Sequence, residues 1–410
     1  MSQTSGREPV RRKRILFFAE AVTLAHVARP HVLAQSLPPD EFDVLFASDD
    51  RYDRLFQDAT YARRPIRSLG SQQFLRALAS GAPLYDLSTL KAYVTEDLAV
   101  IDEFKPDTIV GDFRLSLSVS ARLRDVPYLG ISNAYWSPHA RLRMPVPELP
   151  LTHWLGYGLG QALFNIARPV AFAVHARSMN RLRQAHGLPS LGGDVRRVYT
   201  DADTLLFSDI AGLFALESSS KHHRFIGPVN WSPDIAVPDW WDSVPNDRPV
   251  IYLTLGSSGD ARLLPTLIDS LAELPVSLLV STAGRPLVGR VLSDAIYPNV
   301  FAADYLRGED AAGRADLVIC NGGSPTTYQA LAAGKPVLGI PANLDQCLNM
   351  AAMQAAGVGR VLRVSHLRSP LIQKAVRSTL AEVSPIKLQQ ISSAIREAAP
   401  GRELQQLLQN

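Results

Sequence analysis

Apolar positions in this chain recur as short runs separated by stretches with helical spacing. Arg14 to Phe18 is a first such run, read as a strand. From Ala25 to Leu37 the apolar Val27, Val32, Leu33 and Leu37 return at helical intervals. Strands are next expected at Asp43 to Ala47, Thr108 to Val110 and Tyr128 to Ile131, with a helix at Ser116 to Leu123. Strands alternating with helices imply a parallel, doubly wound sheet. From Phe225 to Pro249 the pattern stops: five prolines are spaced through Trp231, Trp240 and Trp241, too densely for a helix or strand interior. A second alternation follows, with strands at Val250 to Leu255, Val276 to Ser281, Leu317 to Cys320 and Pro336 to Ile340. Its helices are Leu263 to Leu271 and Thr326 to Ala333.

The fold class expected is therefore α/β: two Rossmann-like, doubly wound parallel-sheet domains facing across a cleft. Residues 1–228 form the first domain, 229–249 the linker and 250–385 the second domain. Residues 386–410 read as a C-terminal helix, polar on one face over Ile386 to Leu408, packing back towards the N-terminal domain. A length of 410 residues, more than one core usually serves, agrees with two domains.

Composition narrows the function classes. A net charge of +3, with arginines scattered rather than striped, gives no nucleic-acid footprint. The basic run Arg11 to Arg14 is followed by only Ile15 to Ala19 before Glu20 intervenes, too short for a signal sequence or a span, and reads as a solvated tail. Leu151 to Ala176 is strongly apolar, but His153, Gln161, Asn165, Arg168 and Pro169 interrupt it. It reads as a buried or groove-lining helix pair rather than an integral membrane segment, with peripheral membrane contact the lesser reading. Two cysteines, Cys320 and Cys347, are too few for a disulfide scaffold, so a reducing cytoplasm is expected, each thiol being a small buried residue.

Three strand-to-helix turns carry candidate chemistry. Gly256, Ser257 and Ser258 follow one strand with small and hydroxyl-bearing residues that let a ligand approach the backbone. Asn321, Gly322 and Gly323 lead another strand into Ser324, Pro325, Thr326 and Thr327. There Ser324 suits an N-cap and Pro325 a first helical turn, so free N–H groups and the helix dipole would face an anion such as a diphosphate. A well-capped structural helix is the plainer alternative. In the third turn, Asp345 and Gln346 offer acceptors and donors suited to sugar hydroxyls, and Asn349 lies one helical turn beyond Gln346, able to reach back.

On these residues the stretch from Asn299 to Asn349 resembles the donor-binding region of family 1 glycosyltransferases. These are inverting enzymes that include bacterial macrolide and glycopeptide glycosyltransferases. The family's D-W-x-P-Q segment, which holds the base, is matched by Asp304-Tyr305-Leu306-Arg307-Gly308, so the resemblance implies that Tyr305 stacks on the base. Its H-G-G-x-G-T-T-x-E pattern, which grips diphosphate and ribose, is matched from Asn321 through Gln329, and its terminal D-Q by Asp345-Gln346. Asn321 stands in place of the histidine, Pro325 of a glycine, Gln329 of the ribose-binding glutamate and Gly308 of a glutamine.

An inverting transfer needs a base to take the acceptor's proton, and histidine suits it. His26, at the mouth of the first sheet, ordinarily reads as a surface or capping residue. Its setting, Leu24 to Pro30, resembles the family's G-H-V-x-P segment, which implies the catalytic base. Asp112, after the strand from Thr108 to Val110, matches the aspartate of the family's dyad; it can also be read as capping the next helix. Metal ligation by Asp49, Asp50 and Asp53, by Asp201 and Asp203, or by His222 and His223 is disfavoured by their distance from the diphosphate turn, so no metal and no cofactor beyond the nucleotide-sugar co-substrate is expected. Tyr135, Trp136, Trp154, Tyr157, Phe164 and Phe172 read either as ordinary core or as the lining of an apolar acceptor pocket. The expected function is metal-independent, inverting sugar transfer from a nucleotide diphosphate to a small apolar or aromatic acceptor. The alternative is a glycosyltransferase-like binding protein without chemistry.

Overall fold

The computed structural model describes residues 11–217, 220–285 and 297–409. Within them the strands gather into two sheets, every neighbouring pair parallel. The first contains β1 (Lys13–Ala19), β2 (Phe42–Ser48), β3 (Ala62–Pro65), β4 (Thr108–Asp112), β5 (Tyr128–Ser132), β6 (Thr204–Phe207) and β7 (His223–Phe225), in the order β3-β2-β1-β4-β5-β6-β7. The second contains β8 (Val250–Thr254), β9 (Ser277–Ser281), β10 (Val300–Ala303), β11 (Leu317–Cys320), β12 (Val337–Gly339) and β13 (Gly359–Val361), in the order β10-β9-β8-β11-β12-β13. The α/β, two-sheet fold class is thus as expected. Central strands such as β8 and β9 are buried along their whole length, which is why they read as continuous apolar runs. Burying each Leu or Ile of such a run contributes about 1.5–3 kcal/mol.

In both sheets the strand order reverses direction beside the first strand, between β1 and β4 and between β8 and β11. At such switch points the loops leave in opposite directions and open a crevice at the carboxyl ends. Register sets what meets there: Ala19 pairs with Asp112, and Thr254 with Cys320. One buried cluster runs from Tyr135, Phe207 and Phe214 into Tyr252, Tyr328 and Met350, joining the two halves through apolar contact.

Three expectations are corrected. The tail is two helices, Pro385–Glu397 and Pro400–Gln409, because Pro400 lacks the N–H needed to continue the first. The second of them seats Leu404 and Leu408 among Ile15, Phe17, Val27 and Leu33. The predicted helix at Ser116 to Leu123 is a single turn, Leu117–Ser120, followed by a 3-10 turn at Arg122–Arg124. The apolar stretch near 151–176 belongs to one helical run, Pro150–Ala185, broken at Gly156, where φ is 70° and ψ 168°. It is buried on only one side, and Trp154, Leu159, Ile166 and Val170 are exposed. Of the aromatic residues weighed as core or pocket, Tyr135 and Phe172 are buried and Phe164 and Trp136 pack against the same cluster, whereas Trp154 and Tyr157 face outward.

Candidate active site

The helix Ala25–Gln35 follows the β1 loop and carries His26 on its first turn. The His26 Nδ1 lies 2.7 Å from Asp112 Oδ1, at the carboxyl end of β4, and Asp112 is fully buried. This leaves Nε2 as the ring nitrogen facing away from the carboxylate. Phe113, whose φ of 58° is left-handed, stacks its ring on the imidazole at a centroid distance of 4.7 Å. A non-glycine residue held in that region stores strain of about 1–3 kcal/mol, a feature that clusters at functional sites.

Arg29, three residues after His26 on the same helix face, grips Asp112 with two hydrogen bonds of 2.9 Å and donates to Asn133 Oδ1 at 2.8 Å. Burial works against the Arg29 charge, but Asp112 more than offsets it and holds the guanidinium above its ordinary pKa. Beside this group lies a second buried ionic cluster. Arg114 meets Glu20 at 3.0 Å, Asp97 at 2.9 Å and Glu96 at 3.1 Å, and its guanidinium covers the Tyr93 ring. Glu20 also accepts from Leu69 N and Tyr93 Oη; burial raises its carboxyl above the usual range despite Arg114. Two fixed ionic groups therefore brace the loops on either side of the β1–β4 crevice.

In the C-terminal half, Gly322 has φ of 80°, and a Cβ there would sit 2.5 Å from Met350, so glycine is required on both counts. Asn321 Nδ2 donates to Ser258 Oγ at 3.1 Å, and its Oδ1 accepts from Gly323 N at 3.1 Å, tying the turns after β8 and β11 together. Ser324 is not the N-cap: Gly323 occupies that position and Ser324 opens the helix Ser324–Ala332. With Gly323 N engaged and Pro325 lacking an N–H, the amides of Ser324 and Thr326 are those the helix start leaves without an intrahelical acceptor. Gly256 and Ser258 are partly exposed and Ser257 is exposed, beside this start, with Arg285 bridging the carbonyls of Ser257 and Gly259.

Asn349 turns away from Gln346. Its Nδ2 donates at 2.9 Å to both Gly322 O and Thr327 Oγ1, while Thr327 donates to Ser324 O, so both buried residues fix the turn from beneath. Gln346 forms a capping box with Asn343: its Oε1 accepts from Asn343 N at 3.4 Å, and from Ala342 N at 2.9 Å besides, while its own N–H donates to Asn343 Oδ1. Gln329 donates to Trp231 O and Ser232 Oγ in the linker, both at 3.1 Å. A Cβ on Gly308 would meet the Gln329 side chain at 2.3 Å, so the glycine and the glutamine that replace the family's residues depend on each other sterically. Tyr305 is exposed, its ring over Gly284.

Contacts between the halves bring these groups together. Asn133 Nδ2 donates to Ser324 Oγ at 3.3 Å and to Asp209 Oδ1 at 3.1 Å; Tyr328 Oη donates to Asp209 at 2.7 Å. Trp136 Nε1 donates to Asp345 Oδ1 at 2.8 Å. A continuous path thus runs His26–Asp112–Arg29–Asn133–Ser324, from the candidate base to the start of the candidate anion-binding helix.

A family model, the glycosyltransferase family 28 C-terminal domain, matches residues 290–400, a span that takes in Tyr305, the Asn321 turn and Asp345-Gln346. A PGL/p-HBAD biosynthesis glycosyltransferase of Mycobacterium tuberculosis (strain ATCC 25177 / H37Ra) is 48% identical over 375 residues, covering 91% of this chain and 86% of that protein. The chain belongs to this glycosyltransferase family. A PGL/p-HBAD biosynthesis rhamnosyltransferase of Mycobacterium bovis (strain BCG / Pasteur 1173P2) is 47% identical over 371 residues, covering 90% of this chain and 81% of that one. Among solved structures, a spinosyn rhamnosyltransferase complexed with thymidine diphosphate superposes with a TM-score of 0.68 at 17% identity, covering 97% of this chain and 100% of that one, a likeness of fold.

In this glycosyltransferase Arg29, Asn133, Asp209, Tyr328, Glu20 and Arg114 join the site without having been singled out from sequence. A usable signal existed for most of them: Glu20, Arg114, Asn133 and Asp209 each stand within two residues of the carboxyl end of β1, β4, β5 or β6. The acidic pairs weighed for metal are engaged elsewhere. Asp49 clamps Arg51, Asp53 pairs with Arg63, and Asp201 bridges Arg122 and Arg183. Cys320 and Cys347 are buried, and loss of solvation pushes both thiols up to about 12, far from a nucleophilic thiolate. No helix among the described residues is long and apolar enough to cross a membrane.

Proposed function

We propose that this glycosyltransferase moves a sugar, with inversion and without a metal ion, from a nucleotide diphosphate donor to a small apolar or aromatic acceptor. The observation that carries the reading is the His26–Asp112 pair at the β1–β4 crevice, connected through Arg29 and Asn133 to the helix start at Ser324. His26 Nε2 takes the acceptor's proton as its oxygen attacks the anomeric carbon, and Asp112 holds the tautomer and stabilises the imidazolium that forms. The leaving diphosphate is received by the Ser324 and Thr326 amides and the helix dipole, with Ser257, Ser258 and Asn321 as neutral donors. Tyr305 supports the base, while Asp345 and Gln346 lie on the sugar side. The names of the relatives put rhamnosyl donors beside other dTDP- and UDP-sugars in the test panel.

Turnover of that panel by wild type and His26→Ala tests the reading: near-complete loss in the variant is expected, and equal activity would remove His26 from the mechanism. A binding protein without chemistry is the second reading, favoured by Gln329 being engaged with the linker and Pro325 narrowing the anion site. Calorimetry with UDP and dTDP separates the two, since a chain that binds neither nucleotide is not the proposed enzyme.

A further inference from the structure

From Leu159 onward, the outer side of the helical run Pro150–Ala185 presents Leu159, Leu163, Ile166, Val170 and Val174, spaced four, three, four and four residues apart. These spacings make one stripe on one helix face, about 22 Å long at 1.5 Å per residue. Ile166 is 76% exposed, Val170 68% and Leu159 54%. Ahead of the Gly156 break, Trp154 is 91% exposed and Leu155 is also outward; Tyr157, just after it, is about half exposed, with the Arg363 guanidinium over one face of its ring. Single exposed apolar residues are ordinary, but a contiguous row of them on one helix marks an interaction surface. The opposite side of the helix is firmly held, with Phe172, Ala176, Met179 and Leu182 in the core, so the stripe is not an element awaiting its own domain.

The charge on this element selects the occupant. Between Pro150 and Ala185 there is no Asp or Glu, whereas Arg168, Arg177, Arg181 and Arg183 are present. Arg183 is buried against Asp201, but Arg177 and Arg181 are exposed and continue the stripe at the same three- and four-residue steps beyond Val174. An apolar row with an outward aromatic at one end and arginines at the other is the pattern of a helix lying in the plane of an anionic lipid surface. A second copy packed on this face would bring no Asp or Glu from the same helical run to meet these arginines.

We infer that the face from Trp154 to Arg181 docks on anionic membrane, with the apolar stripe in the headgroup–acyl boundary and Arg177 and Arg181 on lipid phosphates. The contact is independent of which sugar is transferred. The inner side of the same helix brings His175, Ser178 and Met179 to a recess shared with Leu115 and Tyr199, and Tyr199 packs on Phe113, the residue stacked on His26. If the transferase reading holds, an apolar acceptor leaving the bilayer would arrive beside the base.

The test is co-sedimentation of the full chain with vesicles of phosphatidylglycerol and phosphatidylcholine, together with tryptophan emission. Phosphatidylglycerol vesicles are expected to pellet the protein and shift its emission to the blue, a shift lost in Trp154→Phe; phosphatidylcholine vesicles should retain several-fold less. Ile166→Glu with Val170→Glu should lower binding at least tenfold, and Arg177→Gln and Arg181→Gln about fivefold each, with circular dichroism and nucleotide calorimetry unchanged from wild type. Equal pelleting of wild type and the double glutamate variant would overturn the inference. So would absence of binding at high lipid excess, or a dimer in light scattering that the same two substitutions convert to monomer.

Discussion

The two switch points face one another across the cleft but are held by different chemistry. Around β1 and β4, buried full charges meet: Asp112 with Arg29, and Arg114 with Glu20 and Asp97. Around β8 and β11, apart from Arg285 on the Ser257 and Gly259 carbonyls, neutral amides and hydroxyls hold the turns: Asn321 with Ser258, Asn349 with Gly322 and Thr327, Gln346 with Asn343. A proton-transfer site must keep its base and the partner of that base fixed as charge moves, which buried ion pairs do at high cost if broken. An anion site gains from donors that need not be desolvated as ions. The difference therefore tracks the two tasks assigned in the proposed reaction.

Substitutions should expose the contrast, most strongly on the charged side. Asp112→Ala or Arg114→Met leaves a buried partner charge uncompensated and should destabilise the chain by about 3–5 kcal/mol, read by denaturant unfolding; a loss near 1 kcal/mol would erase the distinction. His26→Ala separates rate from stability. Because His26 is partly exposed and Arg29 still neutralises Asp112, turnover should fall about 10²–10⁴-fold while the unfolding midpoint barely moves.

On the neutral side the expected effects are smaller. Ser324→Ala removes the hydrogen bond from Asn133 and Ser258→Ala those from Asn321 and, at 3.5 Å, Gln346; each should cost about 0.5–1.5 kcal/mol, seen as a few-fold weaker nucleotide affinity in calorimetry rather than as unfolding. A loss above a hundredfold for either would mean that the turn depends on that hydroxyl as strongly as β4 depends on Asp112.

The smallest effect expected is a pH dependence within the N-terminal half. Burial lowers the pKa of His31, whose Nδ1 meets Tyr61 Oη, from its ordinary 6.5. The folded state therefore takes up this proton less readily than the unfolded chain. Stability from the neutral ring is present above about 6.5 and declines as the pH falls from there through the lower folded value. Melting temperatures between pH 7.5 and 5 should fall less steeply in His31→Gln than in wild type.

The legible parts of the fold were those with strong local pattern. β1, β8, β9 and β11 announce themselves because strands buried on both faces must be apolar throughout. β3 did not, since its Ala-Arg-Arg-Pro sequence sits at a sheet edge where polar residues and proline are tolerated, and β7 is three residues long at the opposite edge. In the candidate site, His26, Asp112, Asn321 and Asp345 could be singled out because each stands in a motif. Arg29 stood in plain view three residues after His26, but nothing local says that its partner is Asp112, 83 residues away. The exposed helix face defeated the reading for the same reason: apolar residues on a helix are ordinarily core, and only neighbouring elements decide which side they cover.

The amino-acid sequence by itself determined the alternation of strand and helix, the break at the linker and the residue types at the crevice mouths, because each is set by contacts within a few residues. Only the tertiary structure decided that Asp112 is shared by His26 and Arg29, that Ser324 answers Asn133 rather than capping its own helix, and that the stripe from Leu159 to Val174 remains outside the core. Those outcomes depend on which carboxyl ends the sheet order places side by side. That order is fixed by the packing of whole elements, about which a local pattern carries no information.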